Sequence, residues 1–251
     1  MKNKLYHTLF IVSLFLGVTS CELFEVDNFP MPDARVFGGI RDIVGGALVE
    51  TDLNNGSTIG TYELGGYDNP ELRSWKIMQN GEYRNNLVFP NTYKIEFTSC
   101  NFFPFTIDEV TFVSGDNPMD FQVTPYIRIK NCQIVKEGDK VKATFNLEPG
   151  KETVKLSQIT LYVFTDKFVG EYVKLSVSKG TGTPTVSYSP AATIDPNKVY
   201  ELSIDLAANK SGIFKTNRNY YFRVGAKASQ SGVGTIRSNY APYVKIPLAL
   251  N

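Results

Sequence analysis

Glu50, Asp52 and Asn54 alternate beside Gly56, and oxygen-rich loops of this kind suit a hard cation such as calcium. The spacing departs from an EF-hand, which places Gly sixth and a Glu twelfth, so a solvated turn is the competing reading. A second constellation is aromatic. Trp75, the lone tryptophan, together with Tyr83, Tyr62 and Tyr67 would make a platform on which sugar C–H faces stack. A Trp on a strand serves a half-buried core just as well, and Tyr172, Tyr188 and Tyr240 carry the same ambiguity. Paired carboxylates acting on a glycosidic bond must stand about 5 to 10 Å apart. Asp108 and Glu109 are adjacent and would face opposite sides of a strand, while Asp116 and Asp120 flank a turn where acids serve local hydrogen bonding. Neither pair argues for an enzyme.

The N-terminal segment limits the chemistry further. Lys2 and Lys4 precede an apolar run from Leu9 to Val18, followed by small residues and Cys21, the layout of a secretory signal. Val18-Thr19-Ser20-Cys21 resembles the lipobox of bacterial lipoproteins, in which the thiol is acylated and becomes the mature N-terminus. That resemblance implies a signal over residues 1–20, a lipid anchor at Cys21 and an outer-membrane lipid partner. The apolar run is shorter than the ~20 residues that span a bilayer. Cleavage at Cys21 removes His7, the sole histidine, and with it Ser-His-Asp and Cys-His catalysis and His-ligated metals. Cys100 and Cys132 are too few for a thiolate cage. They would either bond across the two halves or, the preferred reading, stay as separately buried thiols. No cofactor is expected.

Charge is segregated along the chain. Residues 22–125 hold 16 acidic and six basic side chains, and residues 126–251 hold nine acidic and 18 basic. Opposite net charges favour docking of the two halves at low salt. The basic half could instead meet an anionic glycan or lipid headgroup, but its cations do not cluster into a run, so solvated surfaces with mild mutual attraction are the simpler reading. Nucleic acid is not expected as a partner of an exported, near-neutral protein.

The elements that must position these residues read as strands throughout. Residues 21–33, with Pro30 and Pro32, form a tether of low periodicity. Beyond it, short alternating runs are broken by Gly, Pro and Asn turns, the signature of an all-β chain. The first half offers Val36–Arg41, Thr58–Leu64, Trp75–Gln79, Leu87–Phe89, Thr92–Thr98, Phe105–Val113 and Met119–Val123, with Asn80-Gly81 as a tight turn. The second offers Ile127–Val135, Lys140–Leu147, Ile159–Phe164, Tyr172–Val177, Lys198–Leu206, Tyr220–Ala228 and Tyr240–Ile246, with Glu137-Gly138-Asp139 turning the first pair. Two tandem β-sandwich domains, 34–125 and 126–251, meet near Pro125.

Local resemblances add detail. GGIRDIVGGALV, NGEYR and LVFPNTYKIEF, in that order, resemble the carboxypeptidase-regulatory or transthyretin-like sandwich. Asn91 stands where such domains carry Gly, both tolerating a left-handed backbone. NYYFRVGAKA followed by SNYAPYVKI is similar to the last strands of fibronectin III or immunoglobulin-like domains, with Tyr220 or Tyr221 as a corner tyrosine. The whole order resembles a Bacteroidetes surface lipoprotein family of unknown function, associated with starch-utilisation-type glycan importers. Glu22, Glu25 and Asp27 behind the Cys are similar to that group's acidic surface-export signals. The resemblance implies a cell-surface, outer-membrane accessory without catalysis, with glycans or importer proteins as partners, the periplasmic face being the other possible address. The alternative is a structural, adhesin-like subunit that binds proteins.

Overall fold

The computed structural model describes residues 31–66, 68–214 and 217–248. Cys21, the signal, most of the tether and Tyr67 lie outside the described residues. Eighteen strands and no α-helix occur among those described. The first half contains β1 (Ala34–Asp42), β2 (Thr58–Glu63), β3 (Arg73–Lys76), β4 (Glu82–Val88), β5 (Asn91–Glu96), β6 (Ser99–Cys100), β7 (Thr106–Phe112), β8 (Gly115–Pro118) and β9 (Phe121–Val123). The second contains β10 (Ile127–Glu137), β11 (Lys140–Pro149), β12 (Lys155–Phe164), β13 (Thr185–Thr193), β14 (Tyr200–Asp205), β15 (Arg218–Ser229), β16 (Thr235–Ile236), β17 (Asn239–Tyr240) and β18 (Val244–Leu248).

The strands form two layers in each half. In the first, β4-β1-β8 with β9 also on β1 faces β3-β2-β5-β7. In the second, β10-β11-β14 faces β13-β12-β15-β17, with β18 also on β15. Alternation drives the layering: Val141, Ala143, Phe145 and Leu147 of β11 point inward while the residues between them do not. Phe97 anchors the first core, with the rings of Phe105, Phe121 and Phe102 at 4.6, 5.0 and 5.3 Å. The two cores separate between Val123 and Tyr126.

Three expectations need correction. Tyr172–Val177 is not a strand. Its start is drawn aside because the Glu171 N–H donates to Asp52 at 2.6 Å, and the edge of β12 is taken by β13, which the sequence reading omitted. Pro190 hides that strand, yet it falls at a register shift on an outer strand, where proline is tolerated. Asn91 is not left-handed; Asn131, with φ 51°, is the non-glycine residue of positive φ among those described. Asn91 instead donates its amide to Glu63 at 2.8 Å and to the Gly65 carbonyl at 2.9 Å.

Other expectations match the geometry. Gly81 and Gly138 adopt φ of 86° and 55° at the two turns marked by Asn80-Gly81 and Gly138-Asp139. Tyr220 is the corner tyrosine, its hydroxyl donating to the Ile213 carbonyl at 3.0 Å. Cys100 and Cys132 are free, each packed against a different core.

Candidate functional site

The seam between the halves is polar, buried and charged. Arg223 sits in the middle of β15 on the face turned away from the second core, and is completely buried. Its guanidinium donates to Glu50 Oε2 at 2.7 Å, to the Thr51 and Ala241 carbonyls at 3.0 Å, and to Val169 at 3.3 Å. Its carbon lies 4.3 Å from the Tyr240 ring centroid. Gly225, two residues along the same face, is required: a Cβ there would stand 2.8 Å from Tyr162 and 3.0 Å from Tyr240. A second bridge pairs Arg128 with Asp42, two bonds of 2.5 and 2.8 Å in a nearly dry setting. Asn101 and Asn239 lock the backbone between them: Asn239 donates to the Asn101 carbonyl at 2.8 Å and accepts from the Ile127 N–H at 3.0 Å. The β6–β16 pair, Ser99↔Thr235 and Cys100↔Ile236, bridges the seam as a small parallel two-stranded sheet of its own. Two of the opposite charges of the halves thus meet in each of two buried pairs, Arg223–Glu50 and Arg128–Asp42, while most of the others lie on exposed or half-exposed surfaces.

The candidate calcium loop is part of this seam, and its carboxylates are already engaged by protein donors. Asp52 is buried, with Oδ1 accepting from the Asn54 and Asn55 N–H groups at 2.9 and 3.1 Å. Its Oδ2 accepts from the Glu171 N–H at 2.6 Å and the Tyr240 hydroxyl at 3.2 Å. A carboxylate so filled with donors has no lone pairs left for a metal. Glu50 is tied to Arg223, and Asn54 is exposed. Among the described residues no three His, Cys, Asp or Glu side chains gather as a metal site.

The four-aromatic platform is not assembled either. Tyr83 is a core residue whose hydroxyl donates to the Met119 carbonyl at 2.6 Å. Trp75 pairs with buried Ile59 and shares its inward face, packing 6.1 Å from Phe112. Tyr62, three residues beyond Ile59, lies on the opposite face, its hydroxyl bonded to Glu96 at 2.9 Å. The acids flanking the β7–β9 turns clamp β1: Asp116 pairs with Arg35 and Asp120 with Arg41, each at 2.6 Å.

A different aromatic pair occupies the cleft the seam creates. The concavity, about 410 Å³, is lined by Met78, Phe168 and Tyr243, with Gln79, Asn80 and Lys167 as polar neighbours and Glu50 reaching it from the seam. Phe168 and Tyr243 are each 42% exposed, so ring surface is open in one hollow. Both are held in place. Gln79 donates to the Lys167 carbonyl at 2.9 Å, tying the Phe168 loop to the Asn80-Gly81 turn, and Tyr221 packs edge-on against Tyr243 at 5.5 Å. Burial pushes the Glu50 carboxyl up while Arg223 pulls it down. Its second oxygen keeps acceptor capacity beside the cleft. An apolar hollow with a few polar groups is the usual form of a small-ligand site. Sequence reasoning passed over Phe168, Tyr243 and Arg223. The available signal was an Arg and a Gly on the outward register of an otherwise apolar strand, marking a face that something must cover.

Residues 127–245 match the C-terminal domain of unknown function DUF3823_C. A "putative carbohydrate binding protein" from Bacteroides uniformis is 46% identical, with a TM-score of 0.81, the match covering 86% of this chain and 100% of that one. The chain carries the C-terminal domain of the DUF3823 family. Family proteins from Bacteroides ovatus and Parabacteroides merdae, 22% and 19% identical, share the all-β fold, each with a TM-score of 0.66 and coverage of 86% of this chain and 100% of theirs. No curated protein sequence matches this DUF3823 chain.

Proposed function

We propose that this DUF3823 protein is a non-catalytic, lipid-anchored accessory of the outer membrane, facing the cell surface, that captures glycans in the cleft of Phe168 and Tyr243. The observation that carries this reading is two open aromatic rings in one hollow, flanked by the side-chain amides of Gln79 and Asn80. Apolar ring faces meet sugar C–H groups, and amides donate to and accept from hydroxyls. The relative from Bacteroides uniformis, by its description, supports the same ligand class. The anchor is Cys21, the tether gives reach, and importer proteins are the proposed neighbours.

The protein-scaffold alternative calls for a flat apolar sheet edge. The outer strand β7 carries Asp108 and Glu109, and the outer strand β13 carries Pro190, both of which discourage strand addition. A glycan array probed with the purified protein tests the reading: binding that weakens at least tenfold in Phe168→Ala and Tyr243→Ala supports it, about 1.4 kcal/mol. Unchanged binding in both variants overturns the site. Labelled palmitate entering the wild type but not Cys21→Ser tests the anchor.

A further inference from the structure

On the far side of Met78 lies a second hollow of about 420 Å³, lined by Phe37, Arg84, Arg41, Glu82 and Asp120 among others. Met78 walls both spaces, and one rigid turn separates them. The Gly81 N–H donates to Met78 O at 2.9 Å, and the Met78 N–H to Glu82 O at 2.7 Å. The side chains repeat the link: Asn80, in the first cleft, donates to Glu82 in the second at 2.8 Å.

We propose that this hollow is a second subsite for the same glycan, taking further units of a neutral oligosaccharide whose end rests on Tyr243 and Phe168; the inference rests on the cleft reading above. Three features carry it. The Arg84 guanidinium lies 4.4 Å from the centroid of the half-buried Phe37 ring, a flat face built from an aromatic and a cation. Of its five N–H donors, one goes to Asn86 at 3.2 Å, and Arg84 has no ion pair among the described residues. Donors therefore remain for hydroxyls. The surrounding wall is fixed in advance by the Arg41–Asp120 pair and by the Gly39 N–H donating to Asp120 at 2.7 Å.

Charge selects the ligand class. Arg41 and Asp120 neutralise each other, which leaves Arg84 against Glu82, one cation and one anion. Such a balance gains nothing from a polyanion and offers both donors and acceptors to a polyhydroxyl chain. The basic surplus of the second half does not reach this hollow, which is lined by first-half residues.

Titration calorimetry with the purified protein tests it, using ladders of two to seven units from neutral α-glucan, β-glucan, xylan and mannan, with oligogalacturonate as the anionic comparison. Affinity is expected to rise about tenfold with length beyond the disaccharide in one neutral series. Phe37→Ala and Arg84→Gln abolish that gain, while Tyr243→Ala weakens every length. Because Arg84 is exposed, Arg84→Gln keeps the test open if Phe37→Ala fails to fold. Affinity that is flat with length, or a gain that survives Arg84→Gln, overturns the second subsite alone. Preference for oligogalacturonate overturns the neutral assignment. Silence of the wild type on every ladder overturns the cleft reading and this one with it.

Discussion

Replacing Arg223 with Met removes a guanidinium that five acceptors share, those of Glu50, Thr51, Val169, Ala241 and, at 3.4 Å, Gln79. Met approximates the length of the stem, so cavity formation is minor and the electrostatic loss dominates. Glu50 is left in a partly desolvated seam without its counter-charge, and four carbonyls lose a donor. Breaking a buried pair from one side costs about 3–5 kcal/mol. Orphaned carbonyls cost about 1–3 kcal/mol each in isolation, but the seam relaxes and the terms overlap. The expected loss is therefore about 3–5 kcal/mol, against a total of roughly 5–15 for a typical domain. Urea unfolding followed by Trp75 fluorescence is the assay, because Trp75 sits in the first half and Arg223 in the second. The Trp75 transition should move to lower urea. Adding Glu50→Leu to Arg223→Met should recover part of the loss, since an apolar pair replaces a stranded charge. A shift below about 1 kcal/mol, or a Trp75 transition that stays put, would falsify the idea that Arg223 holds the halves together.

Gly170→Ala would put a Cβ 2.1 Å from Asp52 Oδ2, so the Glu171 N–H bond must lengthen and the Phe168 loop must shift. Thermal melts should show about 1–3 kcal/mol lost, with cleft binding weakened too. Burial opposes ionisation of Asp42, but the Arg128 hydrogen bonds, the Val44 N–H and the guanidinium charge outweigh it and hold the carboxyl below its usual range. Its contribution is therefore present above the unfolded value of about 3.9 and fades as pH falls through the lower folded value. Asp42→Asn should be less stable at pH 7 and show a shallower fall as pH drops below about 4; an unchanged acid limb refutes the assignment. Burial pushes the Cys100 thiol up to about 12 and the Cys132 thiol up to about 11. Maleimide at roughly pH 7 should label neither in the native protein and both in urea, because the thiolate is the reactive form.

The strands and their inward registers were legible because they depend on local alternation. β11 reads its two faces directly, and the Tyr220 hydroxyl bond follows from the position of one Tyr at a strand start. The site was far less legible, for a reason visible in β15. Tyr220, Phe222, Val224 and Ala226 alternate inward, so Arg223 falls on the register that faces solvent in a lone sandwich. It is buried because the other half of the chain and the 165–171 segment cover that face, an arrangement that alternation does not encode. Asp52 misled for the same reason. Its loop has the composition of a cation site, yet its lone pairs are filled by N–H groups of Glu171, 119 positions away, as well as by its neighbours. Trp75 and Tyr62 lie close in sequence to a platform, but an odd spacing along paired strands sends them to opposite faces. Phe168 and Tyr243 meet only through the fold.

β1 is the strand by which the described chain enters the sandwich, and it is gripped on both edges, by β4 on one and by β8 and then β9 on the other. A tug at Ala34 directed along the strand axis cannot peel these bonds off one at a time. It must break rows on two flanks together, with the Arg35–Asp116 and Arg41–Asp120 pairs resisting sliding. Force applied there along the strand meets this two-sided grip in shear, as a mooring line passed through a cleat holds better than one tied to a single post.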